Sequence, residues 1–167
     1  MVKLRYYKTF PEVVTPKYGT EKSACFDLSA NWKPGQKITY YVESGKKIEE
    51  FSSDFLIIAP GEICLVPTGL IFDIPEGYDL DVYARGSTSL KKGLILSNSV
   101  GIVDQDYYHE TFMLFLNVGE TPVNIFQGER LAQARLVKKL EHDFEETLEK
   151  PGPKSDRNGG FGSTDKN

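Results

Sequence analysis

An all-β fold, either a sandwich or a barrel of short strands, is what this sequence predicts, and three observations predict it. Turn signals punctuate the chain at short intervals, as in Lys33-Pro34-Gly35, Ala59-Pro60-Gly61-Glu62 and Pro75-Glu76-Gly77. Between them, Leu80-Asp81-Val82-Tyr83-Ala84 alternates apolar and polar residues, as a strand with one covered face does. Two further runs, Ile63-Cys64-Leu65-Val66 and Phe112-Met113-Leu114-Phe115-Leu116, are wholly apolar, the pattern of strands covered on both faces.

The 167 residues make one domain, or one domain with a tail, and a chain of this size can bury about 70% of its unfolded surface. A hydrophobic content of 40% and a charged content of 26% are ordinary for a soluble globular protein. The net charge of -4 gives no reason to expect a nucleic-acid polymer as partner. A polyphosphate ligand would therefore need local cations or a metal. No apolar run is long enough to cross a bilayer, and Met1-Val2-Lys3-Leu4-Arg5 lacks the apolar core of a signal peptide. The expectation is a cytoplasmic protein with no membrane partner. Cys25 and Cys64 sit in strand-like segments without metal-ligand spacing, which reads as two core thiols, a disulfide being the alternative. His109 and His142 each stand alone, which argues against a histidine-built metal site.

In chain order, Ser23-Ala24-Cys25-Phe26-Asp27-Leu28-Ser29-Ala30 reads as a strand bearing one acid. In Ala84-Arg85-Gly86-Ser87-Thr88-Ser89-Leu90-Lys91-Lys92-Gly93, Ser87 or Thr88 can cap a brief helix. The first amides of that helix are unpaired donors, and an arginine just upstream adds a forked cation. Phosphates bind in such places, although a plain capped helix start is the commoner use of these residues. Leu94 to Leu96 and Gly101 to Val103 are apolar arms around a polar tip at Ser97 to Ser99, the pattern of a hairpin. Its peptide walls suit the edge of a flat base. Asp104 at the mouth can hold a water, and Tyr107 can cover a sugar. The same residues also describe an ordinary surface turn. Gly128 to Lys150 favours helix by composition. From Lys150 onward the Pro- and Gly-rich chain cannot join a packed core and reads as a mobile C-terminal arm.

Taken together, these stretches resemble the five motifs of the trimeric dUTPase family, the dUTP nucleotidohydrolases. The run Asn98-x-x-Gly101-x-x-Asp104-x-Asp106-Tyr107 looks like the third motif, and the segment at Asp27 looks like the first, with Cys25 where glycine is usual. The stretch from Arg85 resembles the second motif, with Gly86 where serine is usual. Gly128-Glu129-Arg130-Leu131-Ala132-Gln133 is similar to the fourth. Asp156-Arg157-Asn158-Gly159-Gly160-Phe161-Gly162-Ser163-Thr164 resembles the fifth, with Arg157 one residue nearer the phenylalanine than usual and Asp165 at a common glycine. His109 also stands where the family usually carries glycine.

The resemblance implies a distorted β-barrel, jelly-roll-like (a β-clip), with one short helix and a strand through Ala132 to Lys138 in place of the helix. It divides the chain into a domain over 1–149 and an arm over 150–167. It also marks 33–54 as longer than typical, an inserted hairpin or loop turning around Ser44-Gly45. The implied activity is hydrolysis of dUTP to dUMP and pyrophosphate in a homotrimer whose sites are shared between chains. In that reading Asp104 is the catalytic base acting through water. Asn98, Gly101, Val103, Tyr107 and Phe161 hold uracil and deoxyribose. Arg85, Gly86, Ser87, Gln133, Arg157, Ser163 and Thr164 hold the phosphates, and Asp27 faces the waters of a Mg2+ ion carried by the triphosphate. Arg130 reads equally as a ligand or as a structural ion-pair partner.

Two alternatives compete. A dCTP deaminase-like enzyme of the same fold would need a glutamate for proton shuttling where Leu114 stands, and a second arginine where Leu90 stands. A nucleotide-sensing regulatory protein would bind without turnover and would have no need of Asp104.

Overall fold

The computed structural model describes residues 2–51 and 55–156. In chain order the elements are β1 (Arg5–Lys8), β2 (Lys17–Tyr18), β3 (Phe26–Ser29), β4 (Gln36–Val42), β5 (Gly45–Phe51), β6 (Phe55–Ile58), β7 (Ile63–Pro67), β8 (Leu70–Asp73), β9 (Tyr78–Ala84), α1 (Gly86–Lys92), β10 (Leu94–Leu96), β11 (Gly101–Val103), β12 (Phe112–Asn117), β13 (Val123–Phe126) and β14 (Arg130–Lys138). The expected all-β fold with one short helix is present.

Among the described residues the strands form two five-stranded sheets, β10-β12-β7-β4-β5 and β11-β9-β14-β3-β2, with small pairs β1-β8 and β13-β6. The sheets stay open at their edges, so the expected barrel is not closed. Between the layers lies one apolar core that includes Leu28, Tyr40, Leu56, Leu80, Met113 and Phe115. Each fully buried leucine or methionine among them contributes about 1.5–3 kcal/mol of transfer free energy.

The three anticipated turns are there, each closed from residue i to i+3: Gln36 to Lys33, Glu62 to Ala59 and Tyr78 to Pro75. Gly35, Gly61 and Gly77 take the left-handed conformation at φ 77°, 75° and 77°, where a Cβ would be strained. β9 alternates as expected, with Leu80 and Val82 buried. The two apolar runs do not behave as expected. In β7 and β12 one face enters the core while the other, with Leu65, Phe112 and Leu114, is only half-buried.

β14 settles the ambiguous segment as a strand over Arg130–Lys138. It runs between β3 and β9 in the middle of its sheet, and the small buried Ala132 and Ala134 fit that crowded position. Two ladders of backbone hydrogen bonds and this burial override a helix-favouring composition. Beyond Lys138, residues 139–156 form neither helix nor strand.

β4 and β5 make a hairpin whose register runs from Gln36↔Phe51 to Val42↔Gly45, so it turns at the anticipated place. Lys47 ties it down through Glu62 at 2.9 Å and sits 4.8 Å over the Tyr40 ring. Both cysteines are free. Burial pushes the Cys64 thiol up to about 12, which leaves it an inert core group.

Candidate active site

Ten of the anticipated residues fall into two groups on opposite flanks of β9, one along β11 and one towards β14, β3 and α1, and Asp27, Arg85 and Gln133 belong to the second group together with Arg130. The first group surrounds a cleft of about 250 Å³ between the two large sheets, lined among others by Asn98, Gly101, Val103, Asp104, Tyr107 and Leu114. That volume is below the range of roughly 300–1,000 Å³ for pockets that enclose whole drug-sized ligands. It suits one ring and part of a sugar.

The expected hairpin here is corrected. β10 and β11 do not pair with each other: β10 pairs with β12 and β11 with β9. The tip between them therefore crosses from one layer to the other. It is a tight turn in which the Ser97 amide donates to the Leu114 carbonyl at 2.8 Å and the Ser99 amide to the Leu96 carbonyl at 3.0 Å. Ser99 takes φ 62° and is the single non-glycine residue with positive φ among those described. Cys25 and His109 thus occupy ordinary backbone conformations at positions where the resembled family has glycine.

β11 is an edge strand, so half of its backbone N–H and C=O groups have no ladder partner. Those groups give the cleft its peptide wall. Gly101 is needed for space: a Cβ there would lie 3.3 Å from the Val82 Cβ and 3.4 Å from the Asn98 amide nitrogen. Asp104 is exposed at the lip, and its carbonyl accepts the Tyr107 amide at 3.1 Å. The Tyr107 hydroxyl donates to the Glu110 carbonyl at 3.0 Å. Partial burial, and then the Glu110 charge, raise its pKa.

Two residues that sequence reasoning missed also stand here. Glu110 is half-buried, and burial raises its carboxyl above the ordinary range against the pull of the Gly69 amide and Lys33. Thr111, 2% exposed, lines the cleft with a hydroxyl that has no hydrogen-bond partner among the described residues. Nothing in the sequence signals either residue, because what sets them apart is contact with the distant Thr68–Leu70 turn.

The second group centres on Asp27. Arg85 Nε meets Asp27 Oδ1 at 3.1 Å, and Arg130 Nη1 meets Oδ2 at 2.9 Å, with the Asp27 side chain 14% exposed. Arg85 also donates to the Arg130 carbonyl at 3.1 Å, and Gln133 Nε2 donates to the Ala84 carbonyl at 3.3 Å. Register places Gln133 between Asp27 and Tyr83. The expected side-chain cap on α1 is absent: Arg85 is the N-cap, with no side-chain cap bond. Thr88 is buried, and its hydroxyl donates to the Leu131 carbonyl at 2.8 Å instead. Gly86 and Ser87 are exposed in the first turn, where amides lack intrahelical acceptors.

No group of three or more His, Cys, Asp or Glu residues able to hold a metal occurs among the described residues. With one carboxylate, already paired to two arginines, this donor set fits a magnesium ion only indirectly, through a ligand that brings the ion with it. Arg157, Phe161, Ser163 and Thr164 lie outside the described residues. No helix among the described residues is long and apolar enough to cross a membrane.

A sequence model of the dUTPase family matches residues 51–165. The deoxyuridine 5'-triphosphate nucleotidohydrolase of Lactococcus lactis is 37% identical over 155 residues, covering 89% of this chain and 86% of the relative. A crystal structure of dUTPase from Streptococcus mutans superimposes with a TM-score of 0.65 at 28% identity, over 83% of this chain and 98% of that one. The Staphylococcus bacteriophage 80alpha dUTPase with dUPNHPP gives a TM-score of 0.76 at 17% identity, over 98% of both chains, a likeness of fold alone. The family match begins within β5, so the β4–β5 hairpin lies almost wholly ahead of it. On this sequence evidence, with the fold in agreement, the chain belongs to the dUTPase family.

Proposed function

We propose that this protein hydrolyses dUTP to dUMP and pyrophosphate, which lowers the dUTP available for incorporation into DNA and supplies dUMP. One observation carries the reading: an edge-strand cleft sized for a single pyrimidine ring, with an exposed carboxylate, Asp104, at its lip and an aromatic face, Tyr107, beside it. Uracil lies along the peptide wall of Gly101 and Val103 with Asn98 at its edge, and Tyr107 packs on the deoxyribose. Asp104 orients a water and takes its proton as the water oxygen attacks the α-phosphorus. The bond from the α-phosphorus to the bridging oxygen breaks, and pyrophosphate leaves. General-base assistance of this kind contributes about 10²–10⁴-fold. In-line positioning and charge neutralisation supply the remainder.

Arg85, Arg130 and Gln133, with the amides of Gly86 and Ser87, receive the phosphates. As the triphosphate arrives, the two arginines exchange the Asp27 carboxylate for phosphate oxygens, which would leave Asp27 free to face the waters of a magnesium ion carried by the triphosphate. The family is generally metal-dependent. Magnesium carried by the triphosphate would supply charge neutralisation there.

We infer a homotrimer with shared sites, and the placement of the two groups on one chain supports that reading. Val103 pairs with Leu80, so Asp104 lies at one end of β9 while Arg85 follows its other end. The five steps from Leu80 to Arg85 cover about 17 Å at 3.3 Å per residue. That separation favours a phosphate-binding group brought to Asp104 by a second copy over the one on the same chain. Residues 150–167, with Arg157, Phe161, Ser163 and Thr164, form the arm that closes the site over base and phosphates, contributed by a third copy. Leu140, Phe144 and Leu148 ahead of it are 81%, 95% and 97% exposed in the single chain, as befits a segment that is covered on assembly. The compartment assigned is the cytoplasm.

Deamination of dCTP is disfavoured by the cleft wall, where Leu114 offers no proton-shuttling group. The test is pyrophosphate release with magnesium from dUTP, dCTP, dTTP and UTP. Strong preference for dUTP is expected, and preference for UTP, or ammonia release from dCTP, would overturn the assignment.

A further inference from the structure

Tyr107 can judge a sugar only if its ring stands at a fixed height over the cleft, and its own backbone does little to fix it. Residues 104–109 are all exposed, and the turn they form is closed by one amide bond from Tyr107 to Asp104 at 3.1 Å. The ring is held from its far end, where the hydroxyl donates to the Glu110 carbonyl at 3.0 Å. Glu110 is fixed in turn: its Oε1 accepts the Gly69 amide at 2.7 Å. Thr111 is bracketed by the same turn, its amide donating to the Leu70 carbonyl at 2.9 Å and its carbonyl accepting the Thr68 hydroxyl at 2.6 Å. Gly69 is itself wedged in place at φ 68°, where a Cβ would stand 2.5 Å from Val13 Cγ2. A rigid, core-packed turn therefore reaches the sugar-covering ring through the Glu110 carboxylate, with the Thr111 backbone next to it held by the same turn.

We propose that Glu110 is a positioning residue for sugar discrimination: by clamping its segment to the Thr68–Leu70 turn it sets Tyr107 at a height that admits 2′-deoxyribose and excludes a 2′-hydroxyl. This deepens the dUTP reading above and rests on it. A carboxylate is well suited to the task because an ionised acceptor holds a backbone amide more strongly than a neutral one. Displacements of the order of an ångström at a positioning contact are enough to change selectivity by large factors.

The experiment is kcat and KM for dUTP and for UTP, with magnesium, on the full chain and on Glu110→Ala, Glu110→Gln and Tyr107→Phe. Glu110→Ala is expected to lower the dUTP-over-UTP ratio of kcat/KM about tenfold, through KM for dUTP more than through kcat. Glu110→Gln keeps an oxygen for the Gly69 amide and is expected to restore the ratio to within about threefold. Tyr107→Phe removes the same tip bond without touching the clamp, and is expected to reproduce the alanine result even if Glu110→Ala fails to fold. Binding of dUMP against UMP, measured by calorimetry, gives the same comparison without turnover. Native discrimination that survives Glu110→Ala (or Tyr107→Phe, where the alanine variant fails to fold), or a loss in Glu110→Ala that Glu110→Gln does not repair, overturns the inference alone. A native protein that hydrolyses no dUTP overturns the activity reading and the inference with it.

Discussion

The two flanks of β9 solve different recognition problems in different ways. At the Asp104 end the cleft is open, its wall is peptide from an edge strand, and its acid is exposed. At the Arg85 end the arginines are already engaged, one on each Asp27 oxygen. The contrast teaches that a flat neutral ring can be met by preformed shape, whereas an anion site must be kept supplied with a substitute anion until its ligand arrives. Two guanidinium groups left unpaired side by side would repel, and Asp27 removes that cost.

Several substitutions break or sharpen this comparison. The largest effect belongs to Asp104→Asn, expected to lower kcat by about 10²–10⁴-fold with KM for dUTP little changed. Turnover that survives it would place the reacting water elsewhere. Next comes Asp27→Asn, which weakens the internal substitute. Inhibition by pyrophosphate without added metal is then expected to tighten about three- to tenfold, while Arg85→Ala loosens it. If Asp27 did no more than face a metal, its loss would not improve metal-free binding at all.

At the cleft, Thr111→Val replaces a buried hydroxyl that has no partner among the described residues by an isosteric methyl. Relief of an unsatisfied group, about 1 kcal/mol, is expected to raise Tm by roughly 2–4 °C. A fall in Tm would mean that the hydroxyl has a partner in solution. The smallest effect lies far from both ends. Burial pulls the Glu62 carboxyl up, but the Ala59 amide and Lys47 outweigh it and hold its pKa below the ordinary range. Its contribution to stability is therefore full above the ordinary carboxylate range and is lost as pH falls through the lower folded value. Urea unfolding across that acid window should lose part of its pH dependence in Glu62→Gln, and an unchanged profile would discount the interaction.

How much of this was legible in the sequence depended on whether the deciding contacts were local. The Gly-containing turns and the alternation of β9 were legible because both are written within a few residues. β14 was legible only through family resemblance, since composition cannot reveal that Ala132 and Ala134 must fit between two neighbouring strands. The arms around Ser97–Ser99 have a hairpin's pattern, yet their pairing partners are β12 and β9. Local patterning names a strand but not its neighbour. The acid at position 27 was recognised as a site residue, but its two arginines come from Arg85 and Arg130, far along the chain, so its paired state was invisible. Glu110 and Thr111 were missed for the same reason.

Because the arms at 94–96 and 101–103 belong to separate layers, the tip joining them acts as a staple, and the mouth between Gly101 and Leu114 has no width of its own. Its aperture is whatever spacing the two layers adopt. A change of volume deep in the interior, beneath Leu96 or Val103, would then retune which rings fit without altering any residue that touches them.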